Sequence, residues 1–338
     1  MALKEFEFGF GHGTQKVSLP EEHILDVLEG NPTPACDVKE ATLECMRHPI
    51  GSKPLQEIVS KGDKVCIVCA DVTRIWNHSD QFVIHVVNEL NLAGIPDDDI
   101  SIVFAQGTHR EQTPEEDIMV VGEELTKRVK LYQHHCMNKD ELVHVGDTSR
   151  GTPVWINKHA VEADKVIVID GITTHLFAGY GGGRKLILPG VAGDDTIQIN
   201  HCHALGEKFG SGINPKTRST LLTDNPVSDD MQEASDMIKP CFLVHSIINS
   251  EGKICAMVGG DPYKAWLEGT KIVYRIQKVP FKAKCDVAFA CAGGYPKDVS
   301  LYQGCKCYDP SDVVTKEGGI IIAIMEASDM YEPPAYMD

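Results

Sequence analysis

Lys64–Ala70, KVCIVCA, is a short apolar run with no helical period, and Gln81–Leu92, QFVIHVVNELNL, follows it with apolar residues at helical spacing until Gly94. A run this short, apolar at nearly every position, is the pattern of a strand buried on both faces, and the segment after it is an amphipathic helix. The unit then repeats. Ser101–Ala105 (SIVFA) reads as a strand, Pro114–Lys127 as a helix, Val129–Tyr132 as a strand and Lys165–Asp170 (KVIVID) as a third strong strand. Strands alternating with helices predict a mostly parallel sheet covered on both sides.

Working outward, the first sixty residues read as an entry segment, with a short strand near Glu5–Phe10 and a helix at Pro54–Ser60. Toward the C-terminus, Pro226–Ile238 and Pro262–Arg275 have helical spacing, and Phe242–Ile248 and Lys253–Met257 read as strands around Asn249–Gly252. The basic, proline-interrupted stretch Gln277–Lys284 reads as a linker. A new strand–helix–strand unit follows it: Cys285–Cys291, Val299–Cys307 and Gly319–Met325. The expectation is therefore an α/β chain of two α/β domains with mostly parallel sheets. The N-terminal domain is 1–276 and the beginning of a C-terminal domain is 277–338, which is short for a compact unit and ends in MYEPPAYMD without an obvious closing element.

The 338 residues carry a net charge of −17, which repels polyanions and anionic surfaces at long range, so neither nucleic acid nor membrane is an expected partner. No apolar run approaches membrane-spanning length and the N-terminus lacks a signal-peptide core, which places the expected location in the cytoplasm. Twelve cysteines are present, yet Cys66 and Cys69 sit in a strand whose alternation sends them to opposite faces. Reduced core thiols are the expectation, not a disulfide frame or a zinc site.

Ligands in open parallel sheets bind beyond the carboxyl ends of the strands. Asp71, Thr73 and Arg74 follow the first strong strand, and Gln106 to Arg110, including His109, follow the second. Thr174 and His175 follow the third, leading into the densest stretch of the chain, THLFAGYGGGRKLILPGVAGDDTIQINHCH (Thr174–His203). Its glycines 181–183 admit a close ligand approach and suit an anion such as phosphate. Lys185 offers a charge or a nucleophile, and His201 and His203 offer proton transfer or metal ligation. Tyr295, Gln303 and Lys306 follow Cys285–Cys291. Two imidazoles with cations that hold a carboxylate suggest acid–base work on a small carboxylic acid.

These motifs together resemble the nickel-pincer lactate racemase family of 2-hydroxyacid racemases and epimerases. The resemblance is carried by Asp71-Val72-Thr73-Arg74, Gly107-Thr108-His109-Arg110, His175 to Tyr180 leading to Gly182-Gly183-Arg184-Lys185, Asn200-His201, and Gly293 to Pro296 leading to Tyr302-Gln303 and Lys306. It implies an isomerase that inverts C2 of a 2-hydroxy acid by reversible hydride transfer, with the active site in the cleft between two domains. It also implies a pyridinium bisthiocarboxylic acid mononucleotide carrying nickel, the nickel-pincer nucleotide, joined covalently to Lys185. By the same resemblance His201 is the metal ligand, with His203 as the alternative, and His109 and His175 are two general bases. Asp71, Thr73, Phe177, Gly181, Gly182 and Gly183 surround the cofactor, and Arg74, Tyr295, Gln303 and Lys306 contact substrate. The implied partners are a small 2-hydroxy acid and cofactor-biosynthesis proteins, and an oligomer is left open.

The sequence departs from the family at Ile75, Trp76, Asn77 and His78, where relatives often carry prolines, and an aromatic there would reshape the pocket beside Arg74. Two other readings compete. A nicotinamide oxidoreductase is disfavoured because no strand is followed by Gly-x-Gly-x-x-Gly with an acid about twenty residues on. A nickel or phosphate-metabolite binder would not need the acid–base set.

Overall fold

The computed structural model describes residues 2–208 and 210–330, so the expectation for the terminal stretch concerns residues mostly outside those described. The chain divides into two compact units, one of Pro32–Ile276 and one of the residues up to Asn31 together with those from Gln277 onward.

The larger unit is built on six strands: β1 (Val65–Ala70), β2 (Ile100–Ala105), β3 (Lys130–Tyr132), β4 (Lys165–Gly171), β5 (Phe242–Ile248) and β6 (Ile254–Gly260). They lie in the order β6-β5-β4-β1-β2-β3. All neighbours are parallel except β5 and β6, which form an antiparallel edge. Every residue of β1 is buried, as its apolar run requires at the centre of a doubly covered sheet. Val65, Ile67 and Cys69 face one core layer with Phe82, Val86 and Leu90, whereas Cys66, Val68 and Ala70 face the other with Leu186, Leu188 and Trp266. The twelve cysteines are free thiols, and burial pushes Cys66 up to about 12, a core residue and not a nucleophile.

Helices form where the pattern places them, at Val83–Leu92, Pro226–Ile238 and Lys264–Gln277. The expected helix Pro114–Lys127 is two, Pro114–Val121 and Glu123–Arg128. Gly122 separates them at φ 82°, a conformation that leaves the helical region and that glycine adopts without strain. Thr113 and Glu116 form a reciprocal capping box at the first start. The helix Val38–Arg47, capped by Asp37, and the hairpin Leu142–Asp147/Pro153–Asn157 were not expected from sequence. Among the described residues no helix is long and apolar enough to cross a membrane.

In the smaller unit an antiparallel hairpin, Leu3–Phe10 with Gly13–Pro20, joins the parallel pair Cys285–Cys291 and Thr315–Ile324. Backbone contacts fasten the N-terminal hairpin there: Tyr295 N–H donates to Gly11 O at 2.8 Å, and Gly11 N–H to Asp298 Oδ2 at 2.8 Å.

Candidate active site

Strand order reverses between β1 and β4, which opens a switch point at their carboxyl ends. Ala70 pairs with Ala105 and Cys69 with Ile169, so Asp71, Gln106 and Asp170 leave the sheet at nearly one level.

Asp71 is 3 % exposed, and its Oδ2 lies 2.7 Å from His109 Nδ1. A carboxylate accepts, so Nδ1 carries the hydrogen and the lone pair of the neutral ring is on Nε2. Thr73 Oγ1 donates to Asp71 Oδ1 at 2.6 Å and lies 3.3 Å from His109 Nδ1, and Arg74 Nη1 donates to Thr73 Oγ1 at 2.8 Å. Burial alone would raise the Asp71 carboxyl. The His109 charge and hydrogen bond, with Arg74 and Thr73, outweigh it and hold the carboxyl below its ordinary value. Asp71, Thr73, Arg74 and His109, four of the residues singled out in the sequence, are thus one hydrogen-bonded group. Beside them burial raises Asp170 to about 6 against the opposing charge of Arg74.

His175 ends a two-residue strand, Thr174–His175, that pairs with Gly179–Tyr180. Its Nδ1 accepts from the main-chain N–H of Phe177 at 3.2 Å and of Ala178 at 3.1 Å. The Phe177 ring stands edge-on to the imidazole, 6.3 Å between centroids.

The glycine turn differs from the open anion cradle expected of it. Gly181 N–H donates to Thr173 O at 2.8 Å, and Gly183 N–H donates to His245 Nε2 at 2.7 Å. Two of the three amides are therefore engaged within the protein. The glycines serve close packing: a Cβ on Gly182 would stand 2.8 Å from His245 Cδ2, and one on Gly183 would stand 2.9 Å from the Trp266 ring. Trp266 Nε1 in turn donates to Gly181 O at 2.9 Å. Arg184 is buried, its guanidinium 3.9 Å over Trp266 and donating to Ser228 and Ala178, and burial lowers it to about 9.

Lys185 follows on the same short turn of helix, and its charge reaches His201. Burial first, and Lys185 second, depress His201 to about 4, so the ring is neutral. His201 Nδ1 donates to Ile197 O at 2.9 Å, which places the lone pair on Nε2, the arrangement of a metal-ligating imidazole. His203, the alternative, has Nε2 3.4 Å from Thr152 Oγ1 and 3.7 Å from the buried Asp230 carboxylate. Among the described residues no three His, Cys, Asp or Glu side chains are grouped to hold a metal ion.

Tyr295, Gln303 and Lys306 belong to the smaller unit. Lys306 Nζ is hydrogen-bonded to Gln303 Oε1, and Tyr295 stacks on His12 at 4.2 Å. The departures after Arg74 are mostly structural. Asn77 is buried and donates to Asp170 Oδ1 at 3.1 Å, and His78 Nε2 lies 2.7 Å from Gly252 O. The Trp76 ring packs against Gly171, where a Cβ would meet it at 2.9 Å.

Residues 10–212 match the family model for the lactate racemase N-terminal domain, and residues 281–332 match that for the C-terminal domain. The chain belongs to the lactate racemase family. It is 32 % identical over 295 residues to the lactate racemase of Lactiplantibacillus plantarum, covering 86 % of this chain and 66 % of that protein. It is 30 % identical over 338 residues to the lactate racemase of Thermoanaerobacterium thermosaccharolyticum, covering 97 % of this chain and 75 % of that one. The solved lactate racemase apoprotein of the latter organism superposes with a TM-score of 0.86 over 98 % of this chain and 77 % of that one. A Thermotoga maritima protein, 22 % identical with a TM-score of 0.67, shares the fold.

Within this racemase-family fold, sequence reasoning overlooked His245 and Trp266, which hold the glycine turn. The available signal was a lone histidine inside an apolar strand, FLVHSII, whose burial obliges both ring nitrogens to find partners. A groove of about 920 Å³ lined by Tyr180, Leu222, Leu267 and Tyr274 contains none of Asp71, Arg74, His109, His175 or Lys185.

Proposed function

We propose that this chain racemises a 2-hydroxy acid at C2, and that lactate, the substrate its relatives are named for, is the first to be tried. The observation that supports this most is the Asp71–His109 contact at the switch point, a proton acceptor with a carboxylate behind it. His109 Nε2 takes the substrate's hydroxyl proton, and Asp71 stabilises the imidazolium that forms. His175 is the second imidazole assigned to that oxygen. Arg74 supplies positive charge for the substrate carboxylate, and Tyr295, Gln303 and Lys306 are assigned to substrate by the family resemblance.

The residues fit one end of a nickel-pincer nucleotide. Lys185 would carry the covalent link and His201 Nε2 would hold the metal, because that ring is neutral with its Nδ1–H turned to Ile197 O. When bound, the cofactor supplies the hydride acceptor that no side chain provides. Asp71, Thr73 and Phe177 are proposed to line it. The amides of Gly181 and Gly183 do not fit a role in holding its phosphate, since both already donate within the protein, so the glycine run positions Lys185 instead.

The test is co-production of the chain with cofactor-making enzymes, then intact mass and chiral chromatography of an enantiopure 2-hydroxy-acid panel. Lys185→Ala is expected to lose both the mass adduct and enantiomer interconversion. Retention of both by that variant would overturn the proposal.

A further inference from the structure

The two imidazoles assigned to the hydroxyl are wired in opposite senses. We infer that they are not interchangeable bases: His109 exchanges the proton, and His175 stays a neutral ring that donates its Nε2 hydrogen to the substrate oxygen. This rests on the racemase reading above and divides the labour within it.

On His109, Nδ1 faces an acceptor, Asp71 Oδ2 at 2.7 Å. The neutral ring therefore has its lone pair on Nε2, and a second proton there produces a cation beside a buried carboxylate that Thr73 holds in place. On His175, Nδ1 faces two donors, the N–H groups of Phe177 and Ala178. A main-chain N–H only donates, so Nδ1 must present its lone pair and the ring hydrogen is on Nε2. For His175 to accept a proton at Nε2, its hydrogen would first have to move to Nδ1, where it would point at two other N–H groups. That sacrifices both hydrogen bonds and leaves like dipoles opposed.

The donors are not free to swing away. They lie in the turn between His175 and its strand partner Gly179, which sits at φ 75° where a Cβ would come within 2.5 Å of Leu221 O. The Asn225 side chain also donates to Phe177 O at 2.8 Å. In this scheme the hydroxyl proton passes to His109 Nε2 and returns from it, so both enantiomers draw on one proton store. His175 neither gains nor loses a proton through the cycle. It polarises the carbonyl oxygen presented to it, as a neutral electrophile.

The decisive measurement uses the full chain without cofactor, labelled with ¹⁵N-histidine, in a ring nitrogen–hydrogen correlation spectrum at mildly alkaline pH. His109→Gln and His175→Gln assign the signals by each removing one ring pattern. The expected result is Nε2-protonated His175 and Nδ1-protonated His109. An Nδ1-protonated or averaged pattern for His175 overturns the inference. In the loaded enzyme His175→Gln, which keeps an N–H donor but cannot titrate, is expected to lower kcat about tenfold to a hundredfold. His109→Gln is expected to lower it by about 10²–10⁴. Equal losses in the two variants also overturn it. A loaded wild-type enzyme that interconverts no 2-hydroxy acid would sink the racemase reading and the assigned role with it, while the spectrum still decides the wiring.

Discussion

Acidification from about pH 7 to about pH 5 should destabilise the folded chain through its buried histidines. His245 is 0 % exposed and His134 is 2 % exposed, and burial depresses each to about 4. His245 Nε2 accepts from Gly183 N–H at 2.7 Å, and His134 Nε2 lies 2.9 Å from Ala192 O with Asn157 Nδ2 3.2 Å from its Nδ1. Their folded values lie below the unfolded one, so between about 6.5 and 4 the unfolded chain binds protons that the folded chain refuses. Stability therefore falls as pH drops through that window, at roughly 1.4 kcal/mol per pH unit per ring. Over the stated step each ring removes about 2 kcal/mol. His201, less enclosed but also near 4, adds a smaller loss. Asp170 acts in the opposite direction: its carboxyl, raised to about 6, binds a proton in the folded state first and returns about 1 kcal/mol. The net expectation is a loss of about 3–4 kcal/mol, a large part of a typical domain's stability. Urea midpoints at the two pH values in equal salt measure it, and His245→Gln should flatten the slope by one ring's share. An unchanged midpoint, or a His245→Gln slope identical to that of the wild type, would refute the reasoning.

Gly182→Ala places a methyl 2.8 Å from His245 at a backbone φ of 74°, and should cost about 2–4 kcal/mol in urea unfolding through strain and overpacking. A loss below about 1 kcal/mol would mean that the turn is looser than described. Asp230→Ala removes a fully buried carboxylate that accepts from Thr148, Thr152 and Asn200, so about 3–5 kcal/mol should be lost in the same assay. Asn200 precedes the metal-ligand candidate His201 on one helix, and near-neutral unfolding of this variant would show that the network does not secure that helix.

The parallel sheet was legible because β1, β2 and β4 are short apolar runs of the sort only double coverage explains. The contact between Asp71 and His109 was legible for a related reason: strand ends in such a sheet converge, which brings the two side chains together. Hairpin Leu142–Asp147/Pro153–Asn157 was not legible, since it is only partly buried and its register shifts between His144 and Gly146, which breaks the alternation. The helix Val38–Arg47 was hidden by its few buried residues, Thr42 and Met46. The glycine run misled because sequence shows where an amide is accessible but not what already occupies it. Here a ring from β5, some sixty residues further along, occupies one of them.

The segment bearing Lys185 is a loop in name only. Its main chain is held to the sheet through one buried ring of β5, the strand beside the antiparallel edge, and to the helix Lys264–Gln277 through an indole. The amine's root therefore shares the lifetime of the domain's interior and not that of a surface excursion. The Lys185 amine therefore starts from a fixed point, and its reach is set by its four methylenes.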